Sequence, residues 1–357
     1  MMNHCDCLGR RMRPCRVCRA HHPSFRGPAV GVHGTPYGFR SVRRGESVTV
    51  EADSALILLM TAIVFMLTQT SKAQLTEQQA KRIEAAAPQK ARVIPKKPRR
   101  VLIWNTPFME QSPHKGYSIP QGEYAMRMLG EKTGAFEPVV SDDIAMYLPE
   151  NIKRFDAILL NNSSGPWICP RNEDMARLKG YGSDVSEVEM LLRKSLLDYV
   201  SGGGGLVAYH HAIGGNPHWP EFQDLIGAGY WGHPWNEEIG IKLDEPDHPL
   251  MAIFGGRDFR LADEIFQFNE PYSRAKLRVL MSLDTAKSNM TVPWIHRKDG
   301  DFALAWVKNH GQGRVFYCAI GHRTEVWWNP QILSFYLDGI QFAAGDLPAD
   351  ATPGASP

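Results

Sequence analysis

The chain reads as a three-layer α/β domain on a mostly parallel sheet, spanning about residues 99–347, and three observations point there. From Val101 onward, apolar strands and amphipathic helices alternate with short turns between them. Asp156–Asn161 encloses a continuous apolar run, the pattern of a parallel strand covered on both faces. The segment Leu196–Ala212 carries a helix into four glycines, then a short apolar strand, then His210 and His211. In open α/β sheets ligands bind beyond the carboxyl ends of the strands, so a titratable side chain there is a site candidate.

The elements follow in order. Val101–Asn105 is expected as a buried strand, and Gln121–Thr133 as an amphipathic helix closed by Gly134. Phe136–Ser141 and Asp156–Asn161 are the next two strands. A helix over Val185–Val200 puts Val188, Leu191, Leu192, Leu196, Tyr199 and Val200 on one stripe. Asp184, three residues before Glu187, resembles a capping box. Leu206–Tyr209 is the strand that bears the histidines. The glycines before it are read as a helix stop and a tight turn; they follow a helix, and no P-loop or G-x-G-x-x-G pattern completes a phosphate site. Further strands are expected at Ile239–Leu243, Val279–Leu283, Ala303–Val307 and Arg314–Ile320. A terminal helix, Pro330–Ala344, precedes a disordered tail over 348–357.

The N-terminal part differs in kind. Across 357 residues the formal charge is only +2, but arginine crowds residues 1–45 and no basic stripe crosses the rest, which argues against a nucleic-acid partner. Ser54–Leu67 is apolar over a length short of the ~20 residues of a membrane span. Small residues follow it up to Ala73. Residues 51–73 are therefore read as a signal peptide or an uncleaved membrane anchor, which implies export to the periplasm or beyond. Residues 1–50 match no folded domain, consistent with translation beginning nearer the apolar run. Cys5, Cys7, Cys15 and Cys18 are too loosely spaced to read as a zinc knot. Cys169 and Cys318 are candidates for pairing after export, with Cys318 set in an apolar strand. Residues 74–98, ending in Pro95-Lys96-Lys97-Pro98, read as a tether.

Beyond His210 and His211, three positions carry chemistry by their setting: His233, the pair Asp263-Glu264, and His322 after the strand that ends at Ile320. His210, His233, Glu264 and His322 form the candidate catalytic set. Imidazole and carboxylate ligands on one rim could hold a divalent metal such as zinc, with His210, His233 and His322 as its candidate ligands. The same histidines could act without metal as general acids and bases. All nine tryptophans lie between Trp104 and Trp328, several beside these segments. Trp219 and Trp231 are candidates to stack on a sugar ring, with core packing as the alternative.

The ordered set Gly203–His210, Trp219-Pro220-Glu221-Phe222, Leu225–Ala228, His233-Pro234, Asp247-His248-Pro249, Asp263–Phe266, Gly313–Tyr317 and Gly321-His322 resembles the ThuA-like trehalose-utilisation family over about residues 100–346. The resemblance implies a doubly wound, flavodoxin-like sheet related to class I glutamine amidotransferases. Where those enzymes carry a cysteine after the central strand, this chain has His210, so thiol chemistry is not expected. It also implies a histidine just before Ser118-Ile119-Pro120; here Gly116-Tyr117 stand there and His114 is the nearest. His114, Tyr117, Asn105, His211 and Asp263 complete the expected substrate-binding set.

The resemblance implies carbohydrate catabolism: action on a disaccharide, glycoside or keto-glycoside at a histidine-rich cleft. No facing pair of glycosidase carboxylates can be identified, which counts against a standard glycosidase. A non-catalytic sugar-binding module and a metal-dependent hydrolase of another small molecule are the two rival readings.

Overall fold

Hydrogen-bonding register divides the main sheet into two halves. The computed structural model describes residues 75–106 and 118–354. Strands β1 (Arg100–Trp104), β2 (Glu137–Ser141), β3 (Ala157–Leu160) and β4 (Gly205–Tyr209) are all parallel. β5 (Gly229–Tyr230) leaves the sheet to pair with β8 (Phe268–Asn269) as a two-stranded ribbon. The remaining strands are β6 (Trp235–Leu243), β7 (Phe259–Ile265), β9 (Arg278–Leu283), β10 (Ala303–His310) and β11 (Gly313–Cys318). The full order is β2-β1-β3-β4-β11-β10-β9-β6-β7.

The expected parallel sheet holds from β2 to β11, because β11 joins β4 in parallel. From β11 to β7 every pairing is antiparallel. Connection length explains the change. Only Gly311 and Gln312 separate β10 from β11, too few for the crossover that a parallel neighbour requires. The result is a mixed α/β sheet.

Helices cover both faces. Apart from a single turn at Pro149–Ile152, the α-helices among the described residues are α1 (Glu77–Ala86), α2 (Ile119–Thr133), α3 (Val185–Ser201), α4 (Pro220–Ile226) and α5 (Pro330–Ala343). Phe316 and Tyr317, neighbours on β11, point to opposite sides. Phe316 packs on Phe335 of α5 at 5.1 Å between ring centroids. Tyr317 lies on Trp306 at 4.3 Å, and the Trp306 indole N–H donates to the Ile226 carbonyl of α4 at 2.9 Å. α1 and α2 lie with α5, and α3 with α4.

The glycine run does structural work. Asp184 caps α3 by accepting from the Glu187 amide, the Gly202 amide closes the helix on Asp198, and Gly203 turns the chain at φ +117°. Gly205 then starts β4 so close to α5 that a Cβ there would lie 2.5 Å from the Ala343 carbonyl oxygen.

Residues 75–98 are docked, not a tether. Thr76 and Gln79 form a capping box for α1, Ile83 is fully buried, and Arg82 lies over the Trp328 ring at 4.0 Å. Arg92 pairs with Asp338 of α5, and Arg99 bridges Asp156 and Asp346. At the other end the expected tail is held as far as Ala351, which is buried; Arg278 pairs with Asp350. Cys169 and Cys318 are both buried and are not joined by a disulfide. Among the described residues no helix is long and apolar enough to cross a membrane. The readings of residues 1–50 and 51–73, with the four N-terminal cysteines, fall outside the described residues.

Candidate functional site

Parallel strands deliver their carboxyl ends to one edge, and that geometry gathers the site. β4 ends at Tyr209 with His210 directly after it, and β11 leads through Ala319-Ile320-Gly321 into His322. β7 runs in the same direction as β11, so Asp263 and Glu264 reach that edge as well. β7 is four strands away in the sheet order, yet its end still meets β11. Only Ile241–Leu243 of β6 pair with β9. The first part of β6 carries β7 past the sheet edge, where Trp235 pairs with Ile265 and Asn236 with Glu264.

His210 occupies a left-handed backbone position, φ +47°, unusual for a residue with a side chain. Such a conformation costs about 1–3 kcal/mol and persists only where its surroundings hold it. Two bonds hold this one. The Tyr317 hydroxyl donates to the His210 carbonyl at 2.9 Å, and His210 Nδ1 lies 2.9 Å from the Ala319 carbonyl oxygen. A carbonyl only accepts, so Nδ1 carries the proton and a neutral ring presents its lone pair at Nε2. Phe266 lies against the ring at 4.4 Å. The ring is fully buried.

Nε2 of His210 faces Glu264 Oε1 at 3.5 Å, and Nε2 of His322 faces Glu264 Oε2 at 3.8 Å. The ligating atoms of the three residues lie within 4.8 Å of one another. A tetrahedral zinc with bonds of about 2.0–2.2 Å sets its ligand atoms about 3.3–3.6 Å apart. The two histidine–glutamate separations, each to a different oxygen, lie near this, and the three-atom set, which lies within 4.8 Å, would draw in around a cation. Two histidines and one carboxylate leave positions open for substrate or water. Without a cation, the imidazoles are placed to serve as general acid or base.

Asp263, expected to touch substrate, does another job. Its buried carboxylate accepts from the amides of Gly321, His322 and Arg323 at 2.6, 3.2 and 2.7 Å. Burial pushes its pKa up to about 7, against the pull of those amides. It fixes the loop that aims His322.

The other expected residues scatter. His233 is exposed, stands outside the trio, and is hydrogen-bonded through Nδ1 to the Tyr230 hydroxyl. Among the described residues the ligand atoms that come together are those of His210, Glu264 and His322; His233, expected as a ligand with His210 and His322, is not in that group. His211 Nδ1 meets the Ser164 hydroxyl at 3.0 Å, while its ring lies 5.1 Å from Tyr230. Asn105 sits at the same sheet edge in a polar chain with Glu123, Asn161 and Tyr209. Trp219 is a core residue: it is buried, stacked on Phe222 at 5.2 Å, with Arg193 over its ring at 5.0 Å. Trp231 is 40% exposed and stacks on His296 at 5.1 Å. His114 and Tyr117 lie outside the described residues. Phe266 and Tyr230 line the histidines without being legible as site residues in the sequence, since an apolar ring beside a strand end has the same pattern as core packing.

Comparison with known proteins agrees with this architecture. Comparison with curated proteins gives no match. Among solved structures, a ThuA-like protein from Bacteroides uniformis superposes with a TM-score of 0.52 at 21% identity, covering 70% of this chain and 92% of that one. A ThuA-like protein from Parabacteroides merdae gives a TM-score of 0.43 at 18% identity, over 70% of this chain and 91% of that one. The family model described as ThuA, trehalose utilisation, matches residues 100–343, and the chain belongs to that family.

Proposed function

We propose that the chain acts in carbohydrate catabolism on a disaccharide, glycoside or keto-glycoside, at a divalent-cation centre formed by His210, Glu264 and His322. One observation carries the reading. His210 is strained into place with its Nδ1 proton fixed on a backbone carbonyl, which turns Nε2 onto Glu264 beside His322. A cation held there would polarise a carbonyl or hydroxyl oxygen of the sugar. Phe266 shields one face of His210, and Asp263 keeps His322 aimed. The order β2-β1-β3-β4-β11 and the turn at His210 support an amidotransferase-like frame in which the histidine replaces the thiol. The apolar run over residues 54–67 supports export of the protein, as a signal peptide or anchor.

The test is the metal content of the purified full chain, wild type beside His210→Ala and His322→Ala, by mass spectrometry after loosely held ions are removed. About one divalent ion per chain, lost in both variants, is expected, together with turnover of a keto-sugar or disaccharide that stops on chelation. Turnover that survives both chelation and His322→Ala would overturn the cation centre.

A further inference from the structure

Trp294 has a conformation that bulky residues avoid: its φ is +70°, and its side chain is 47% exposed. Gln267 explains how it stays there. This fully buried side chain donates through Nε2 to the Trp294 carbonyl at 2.6 Å and accepts at Oε1 from the His296 amide at 2.8 Å. The backbone of Gln267 holds a second loop, accepting from the Trp231 amide at 3.0 Å and donating to the Gly232 carbonyl at 2.9 Å. One residue therefore pins two loops, and each loop displays a half-exposed tryptophan. Trp231 is stacked on His296, and Trp294 meets His233 edge-on at 6.2 Å. His233 in turn lies 6.4 Å from Phe266, the ring that covers His210 at 4.4 Å.

We propose that Trp294, with His233 at its edge, and the open face of Trp231, whose other face is stacked on His296, form a second ring-binding subsite for the sugar unit that is not being processed. This rests on the carbohydrate reading above and deepens it, by making the substrate at least two rings long. Indole faces suit the C–H faces of a pyranose, and the imidazole nitrogens offer partners to its hydroxyls. The strained Trp294 is linked to the trio through the rings of His233 and Phe266.

Calorimetric titration of the full chain with trehalose, maltose and cellobiose, against glucose as a one-ring probe, tests the subsite. A disaccharide should bind the wild type more tightly than glucose does. Trp294→Ala and Trp231→Ala should each weaken that disaccharide about three- to tenfold and leave glucose unchanged. Trp294→Phe, which keeps an aromatic face, should retain most of the affinity. Equal disaccharide affinity in the wild type and both alanine variants would overturn the subsite and leave the carbohydrate reading standing. A wild type that binds none of these sugars, and no aryl glycoside or keto-disaccharide either, would overturn both.

Discussion

Asp263 and Glu264 are adjacent carboxylates with opposite duties. One is satisfied by three backbone amides, the other faces two imidazoles. Replacing Asp263 by Ala strips partners from three amides in a buried loop, each worth about 1–3 kcal/mol when left unmade. Urea unfolding should show a loss of at least about 2 kcal/mol. Asp263→Asn keeps the shape but turns an amide donor toward other donors, and should weaken cation affinity about 10- to 100-fold with little change in fold content by circular dichroism. His248 is locked in its neutral form: Nε2 donates to the Asp350 carbonyl while Nδ1 accepts from the Leu250 amide. Burial lowers its pKa below the ordinary 6.5. As pH falls through 6.5 the unfolded chain takes up the proton before the folded one does, so this group's contribution to stability shrinks toward acid. Asp263, whose pKa is raised, favours the folded state toward acid, so the test is differential: between pH 7.5 and 5.5 the wild type should lose stability relative to His248→Gln, read from the two urea midpoints.

At the scale of elements, the docked N-terminal segment and the start of β4 show where local reading succeeds and fails. The glycine run was legible as a turn because glycine before an apolar strand has a local meaning. Its tightest demand, the approach of Ala343 to Gly205, comes from another element. Gly205→Ala should therefore cost about 1–3 kcal/mol by overpacking, measured as a lowered unfolding midpoint. The 74–98 segment was misread because its prolines and lysines have the composition of a solvated linker. Its partners, Asp338 for Arg92 and Asp346 for the Lys96 amide, lie at the opposite end of the chain, and no short-range pattern reveals such pairing. Ile83→Ala should remove about 2–4 kcal/mol and expose residues 77–99 to hydrogen exchange while the sheet stays protected. β7 was not anticipated either, since Arg260, Asp263 and Glu264 interrupt the apolar alternation that marks a strand.

Across the whole molecule, the site straddles the two halves of the sheet. Strand-end histidines were legible because parallel strands share one edge. What joins them, the overhang of β6 and β7, depends on register and has no signature in composition. If the trio holds a cation as proposed, added divalent cation should raise the melting temperature of the wild type and leave that of His322→Ala unchanged, because only the assembled trio would bind it. That assembly has an order. The β6–β7 hairpin brings near neighbours together and can close early, whereas β4 must find β11 from Gly205 to Arg314, a closure that topology makes slow. A chain still lacking the β4–β11 pairing would hold Glu264 in its hairpin with both imidazoles elsewhere, rich in secondary structure but unable to chelate. Cation uptake during refolding should then lag the circular-dichroism signal and mark the moment the last long-range register closes.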